Sequence, residues 1–559
     1  MEKEKKEIKV TLPDGKTVTC DPQTTAGELF EQVALTTEGL PLLGALVNND
    51  VVSLTYPLEV DCSLAPLTMA DPHGWRLYRR SLAFVLAKAV ADVFPEARFS
   101  IEHSLGSGLY CSFEMNGQTE ITSDQLAAID EQLVEVVRKD IPIKRRKISF
   151  NEAVARFEKE KQWDKYNLLR FRNPPKVVVY SCESFADLAH GPLASSTGTL
   201  PYFNIISYPP GFVIQFPERE TAPHMPPFER QPHLFQIFQE HKEWGRILNV
   251  QTVGQLNEII AKREIGDFIK IAEAFHEKKI AHLADQVASQ RDHVKWVCIA
   301  GPSSSGKTTF SKRLAVQLRV NGLRPVTISV DDYFVDRTQT PKDESGQPDF
   351  EHIETIDLAL LNEHLQLLDN GEEVELPRFN FEHGAREYKG HKLKIEPDQM
   401  VIVEGIHALN PRLTEMVPPE HKFKIYISAL TQLNLDANNR ISTTDNRLVR
   451  RMVRDHQFRG NSALGTLQMW PSVRRGEKKW IFPFQKEADA AFNSALDYEL
   501  AALKTLAEPL LREVKPYHPQ YAEARRMLDF LECFLNIPID QIPQTSILRE
   551  FMGKSSFRY

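Results

Sequence analysis

The octapeptide Gly301-Pro302-Ser303-Ser304-Ser305-Gly306-Lys307-Thr308 fits the pattern G-x-x-x-x-G-K-[ST] at every defined position. Gly301 and Gly306 would let the backbone turn closely around an anion. Lys307 is placed to reach β- and γ-phosphates, and the Thr308 hydroxyl to ligate Mg²⁺. The expected phosphate contacts are therefore Gly301, Ser303, Ser304, Ser305, Gly306, Lys307, Thr308 and Thr309, with ATP as the co-substrate. Two later carboxylates suit the same chemistry. Asp331, followed by Asp332, ends one apolar run, and Glu404 ends another. The first could accept the proton of a hydroxyl attacking the γ-phosphorus; Glu404 could hold Mg²⁺ directly or through water. Asp332 also reads as a helix N-cap. Finally, Arg447, Arg451 and Arg454 recur at i, i+4 and i+7, with Arg450 near the edge of their stripe. Crowded guanidiniums repel one another, so an anion is their expected partner. A solvated basic helix is the plainer alternative. Arg459-Gly460 reads as a turn that would let this helix move as a lid.

These groups need a scaffold that brings them to one edge. Residues 294–300, 326–330 and 400–403 are short apolar runs that read as buried strands. Thr309 to Leu318 has helical spacing, with Phe310, Leu314 and Leu318 on one face. In an open parallel sheet the carboxyl ends of the strands face the ligand crevice. The expected fold is α/β and multidomain, with a P-loop NTPase-type parallel sheet over 291–505 and a helical extension over 506–559.

Upstream, residues 1–66 alternate as strands around a turn at Pro13-Asp14-Gly15-Lys16, with a helix start at Thr24-Thr25-Ala26-Gly27-Glu28. This β-grasp pattern resembles the TGS domain of threonyl-tRNA synthetases. Residues 67–220 read as α+β, with helices around Arg80–Val90 and Asp124–Lys139. Together the two segments are similar to the editing-type second domain of threonyl- and alanyl-tRNA synthetases. Where that family carries metal-binding His and Cys, the matching positions here are Arg80, Phe84, Ala189 and Leu193. A non-editing domain is expected, serving binding, regulation or dimer contacts. Lys144-Arg145-Arg146-Lys147 could touch an anionic partner, though a solvated face explains it as well. Five prolines between 217 and 232 mark a boundary, and 254–290 reads as helical, so 221–290 is taken as linker and connector.

At 559 residues the chain is too long for one core. Its net charge, 68 − 76 = −8, argues against a general nucleic-acid coat protein. Six scattered cysteines without a C-x-x-C pair suit a reducing compartment. With no apolar run long enough to span a bilayer, a cytoplasmic location without membrane contact is expected.

Gly301–Thr308, Ser329–Phe334, Val403-Glu404-Gly405 and Arg447–Asp455 occur in the order and spacing of the uridine kinase/phosphoribulokinase family, which residues 290–500 resemble. The resemblance implies Asp331 as general base, assisted by Lys307, with Arg451, Arg454 and Arg459 as lid contacts to phosphates. Thr308 and Glu404 would serve the metal. It further implies that Tyr333, Phe350, Glu351, His352, Phe379 and Phe381 surround ribose and base, with His383 or Arg386 at a base edge. This sequence departs there: Glu351 and Phe379 replace the family's aspartate and tyrosine, and Asn461 replaces a lid arginine. The implied activity is phosphorylation of the 5′-hydroxyl of a pyrimidine nucleoside. A sugar phosphate or pantothenate-like acceptor, or an RNA- or tRNA-binding regulator with a nucleotide switch, are the rivals. Expected partners are the nucleoside, a second copy of the chain, and RNA or tRNA at the first two domains.

Overall fold

A computed structural model describes residues 7–344, 346–380, 383–396 and 398–558. The chain divides into two compact units, one of Met1–Glu258, Gln432–Ser442 and Val514–Leu535, the other of Ile259–Thr431, Thr443–Glu513 and Asn536–Tyr559.

The first unit begins with a mixed sheet ordered Thr17–Cys20, Ile8–Thr11, Cys62–Leu67, Gly44–Val47, Asp50–Val52. Thr25 caps the helix Ala26–Gln32 in the reciprocal manner its spacing predicts: the Thr25 N–H donates to Glu28 at 2.8 Å and the Glu28 N–H to the Thr25 hydroxyl at 3.3 Å. Leu29 and Phe30 then close the core over Val10 and Leu64. Helix Pro72–Val93 follows, starting earlier than its apolar stripe suggests because Pro72 suits a first helical turn. A second core joins it to the four-stranded antiparallel sheet containing Arg98–Leu105 and Gly108–Glu114. The basic run lies on strand Lys144–Ser149 at the edge of a three-stranded sheet, its four cationic side chains exposed. The proline-rich boundary ends sooner than expected, since Pro232 opens a helix, Pro232–Ile247.

Two further segments join this unit against the sequence-based boundaries. Residues 432–442, expected within the kinase-like domain, form a small hairpin whose polar side chains find partners here. Asn438 donates to Asp187 at 2.6 Å, Asn439 to the Leu188 carbonyl at 3.3 Å, and Arg440 to the Ser104 hydroxyl at 3.1 Å. Asp436 is fully buried and bonds His190 at 3.0 Å. Burial opposes charge on His190, but Asp436 and Cys533 together outweigh it and raise its pKa to about 9. Residues 514–535, expected in the C-terminal extension, belong here as well, with Glu523 bound to Arg76 and Arg526.

The second unit is built on five parallel strands in the order Arg324–Ser329, Gln399–Glu404, Trp296–Ala300, Lys422–Ser428, Ala490–Asn493. Ser329 and Ile299 both pair with Glu404, so three strands end level. That register brings the glycine loop, Asp331 and Glu404 to one edge. Helix Lys307–Val320 leaves the loop and buries Phe310, Leu314 and Leu318, as its spacing predicts. Helix Ile265–Ala288 lies beside it, joined through the buried Arg313, which bonds Glu273 at 3.4 Å and Glu277 at 2.6 Å. Residues 254–290 are thus two helices, split at 262–264. Among the described residues no helix is long and apolar enough to cross a membrane.

Candidate active site

The glycine loop takes the turn its composition requires. Gly306 has φ +85°, and a Cβ on Gly301 would run into the Ile427 carbonyl. Lys307 is buried under the loop, its ammonium 3.4 Å from the Pro302 carbonyl. The hydroxyls of Ser304 and Ser305 are buried with no hydrogen-bond partner among the described residues, unusual for enclosed polar groups. The loop thus encloses donors suited to an anion.

Around it, Thr308 Oγ1 lies 3.5 Å from Glu404 Oε2. Burial lifts the Glu404 pKa to about 8; Asp331 and Glu550 add to the rise, while Lys307 and the Thr308 hydroxyl oppose it. A carboxylate so disfavoured as an anion gains from a cation beside it. One hydroxyl and one carboxylate match the sparse protein set Mg²⁺ takes when substrate phosphates and water complete its shell. Thr308 and Glu404 therefore fit the metal expected of them. Asp331 stands on a single 3₁₀ turn, Val330–Tyr333, straight after the strand. Its charge acts on Glu404 and on Arg459. Asp332 caps no helix: its carboxylate accepts the Phe379 N–H at 3.2 Å and so fastens strand Val374–Asn380.

The arginine helix, Thr443–Arg459, divides its cations between two tasks. Arg447 and Arg450 are buried and paired within the unit, to Glu477 and Glu499 respectively. They anchor the helix, contrary to the expectation that the whole stripe awaits an external anion. Carboxylates 30 and 49 residues away supply the counter-charge, and no helical spacing could announce them. Arg451 Nη1 reaches the Ser303 hydroxyl at 2.7 Å. Arg451, Arg454 and Arg459 share Asp455 at 3.2, 2.8 and 3.7 Å, three cations on one carboxylate. Arg454, followed by burial, draws the Arg459 pKa down to about 10. These cations stand beside the loop, where a phosphate could meet them.

The expected acceptor residues separate. Glu351 is buried, with one carboxylate oxygen unpartnered among the described residues. Burial and Glu477 raise its pKa to about 7, against Arg451, Lys307 and Arg447. It therefore belongs to the phosphate-loop cluster. Phe379 is nearly buried, edge-on to Phe334. Tyr333 is turned into the core, its hydroxyl 2.9 Å from His364 Nδ1, so it is a packing residue and not a substrate contact. Arg386 pairs with Asp357 at 3.0 Å. His352 accepts the Glu354 N–H at 3.0 Å and lies against Trp480. Phe350 and His383 are exposed, and Phe381 lies outside the described residues. Sequence reasoning missed Glu477, Glu499 and Glu550, since isolated glutamates carry no motif.

In the first unit, Arg80, Phe84 and Ala189 line one small cleft that Asn438 and Asn439 enter. The Arg80 guanidinium donates to the Pro192 carbonyl at 3.1 Å, and Leu193 lies in the core.

Comparison with known proteins follows this division. Residues 296–501 match the model of the Phosphoribulokinase / Uridine kinase family. This part of the chain is similar to that family. The chain is also 35% identical over 205 residues to a threonine–tRNA ligase of Desulforamulus reducens, covering 36% of this chain and 31% of that protein. It thus spans about a third of the length of the curated relatives it matches. Among solved structures, one described as a possible uridine kinase from Bacillus stearothermophilus is 18% identical, with TM-score 0.25, over 36% of this chain and 89% of its own. A D-glycerate 3-kinase from Cryptococcus neoformans is 17% identical, with TM-score 0.22, over 47% and 89%. The family match supports a small-molecule kinase, with ATP as co-substrate.

Proposed function

We propose that the protein is an ATP- and Mg²⁺-dependent kinase that phosphorylates the 5′-hydroxyl of a pyrimidine nucleoside. The observation that carries this reading is the convergence of Lys307, the Thr308–Glu404 pair, Asp331 and Arg451 around the ends of three parallel strands. Lys307 and the loop hold the triphosphate. Thr308 and Glu404 would hold Mg²⁺, which would supply charge neutralisation at the phosphates. The acceptor oxygen bonds to the γ-phosphorus as the β–γ bridging P–O bond breaks, ADP leaves, and the hydroxyl proton passes to Asp331. Arg451, Arg454 and Arg459 stabilise the charge that develops on the transferred group.

Glu351, with one carboxylate oxygen unpartnered among the described residues, would meet the ribose hydroxyls, and Phe379, a buried ring, would have to be uncovered to meet the base. A sugar phosphate would call on Arg378, Arg386 and Lys389; Arg386 pairs with Asp357 and Lys389 with Glu387, at 3.0 and 2.8 Å, while Arg378 is exposed. The region similar to threonine–tRNA ligase serves as a binding or regulatory module, with RNA contact and self-association its candidate roles.

The test compares Asp331→Asn with Asp332→Asn on a panel of nucleosides and sugars. The first should lower kcat by about 10²–10⁴-fold with little change in ATP Kd. The second should be mild, because an amide oxygen still accepts the Phe379 N–H. Reversed effects would put the base one residue later. Turnover only on non-nucleoside acceptors would remove the nucleoside reading and keep the kinase.

A further inference from the structure

The chain beyond the family match returns to the glycine loop. Residues 536–559 lie in the same unit, and Ile547, Leu548 and Phe551 are buried without exposed surface. The Ile547 Cγ2 stands 2.5 Å from where a Gly306 Cβ would be, and the Arg450 guanidinium lies 5.1 Å over the Phe551 ring. Arg549 Nη2 donates to the Ile539 carbonyl at 2.9 Å. These anchors set Glu550 at the start of helix Lys307–Val320. Its Oε2 accepts from the Thr309 backbone N–H at 3.0 Å and from the Thr309 hydroxyl at 2.8 Å.

Thr309 is the third residue of that helix, so its N–H has no carbonyl partner within the helix. Such donors are what a helix N-terminus offers a phosphate. The Glu550 carboxylate thus stands where an anionic oxygen would be held, beside two buried serine hydroxyls that lack partners among the described residues. Its charge also bears on Glu404.

We propose that Glu550 is an internal competitor for the nucleotide phosphates. In the nucleotide-free protein its carboxylate takes the Thr309 donors. A nucleoside triphosphate binds by turning the Glu550 side chain away, while Ile547, Leu548 and Phe551 stay docked. The C-terminal segment thereby sets nucleotide affinity. This rests on the phosphate-loop reading proposed above.

The test is calorimetric titration of MgATP into the full chain, wild type and Glu550→Gln, with Glu550→Ala as a second variant and Lys307→Ala as control. Competition by a charged hydrogen bond predicts that both Glu550 variants bind MgATP roughly tenfold or more tightly. Equal or weaker binding by variants that remain folded overturns the proposal and makes Glu550 a structural cap. A wild type that binds no MgATP, or a Lys307→Ala protein that binds it equally well, overturns the phosphate-loop reading itself, and this proposal with it.

Discussion

Glu477 is the counter-ion that folds the arginine helix onto the glycine loop, and its replacement should be among the costliest single changes in the kinase unit. The residue is fully buried, and Arg447 is 1% exposed. Arg447 Nη1 donates to Glu477 Oε2 at 3.1 Å and Arg474 Nη1 does so at 3.3 Å, while the Ser303 N–H donates to Oε1 at 3.2 Å. Glu477→Gln keeps the size and one carbonyl acceptor but sets the buried Arg447 guanidinium against a neutral amide. Removing one member of a buried pair costs about 3–5 kcal/mol, a large share of an ordinary domain stability of about 5–15 kcal/mol. Because Ser303 lies in the loop, MgATP affinity should fall with stability. Trp470, 5.5 Å from the Arg447 guanidinium, supplies a local fluorescence probe for urea unfolding. Replacing Arg447 and Glu477 together by Met and Leu should recover only part of the loss, since the pair is removed without a stranded partner but Arg474 and the Ser303 N–H lose their acceptor. A Glu477→Gln protein within about 1 kcal/mol of wild type, the range of an exposed pair, would refute the reasoning.

Two further predictions concern backbone and pH. Gly306→Ala must adopt φ +85° and press against Ile547, so it should lose about 1–3 kcal/mol of stability together with MgATP affinity; wild-type behaviour in both measurements would contradict the loop geometry. In the first unit, the folded-state pKa of His190 is raised from 6.5 to about 9. Its contribution is therefore full below pH 6.5 and lost as pH rises through about 9. Thermal midpoints should fall over that window in wild type and less steeply in His190→Gln; parallel profiles would show that the bond to Asp436 is not what stabilises the hairpin.

Much of the catalytic edge was legible in the sequence because its groups sit beside the strands that carry them. The loop, Asp331 and Glu404 each follow an apolar run directly, so strand recognition and parallel register suffice to gather them. The helix cap at Thr25 and the face of Phe310, Leu314 and Leu318 were likewise local. What local pattern could not decide was how each charge is spent. Arg447 and Arg451 look alike on one stripe, yet the first meets Glu477 in the core and the second faces the loop through Ser303. Asp332 and Tyr333 stand next to Asp331, but the 3₁₀ turn sends one to the Phe379 N–H and the other to His364. The allocation of residues 432–442 and Glu550 was equally silent, for their partners lie hundreds of residues away. Sequence by itself determined the chemical parts and the strands that present them, because periodicity and motif spacing act over a few residues. Only the tertiary structure decided which cations are paired, which carboxylates sit at the glycine loop, and which residue takes the Thr309 N–H. A buried charge is set by whatever the fold places against it, and chain order does not encode that neighbour.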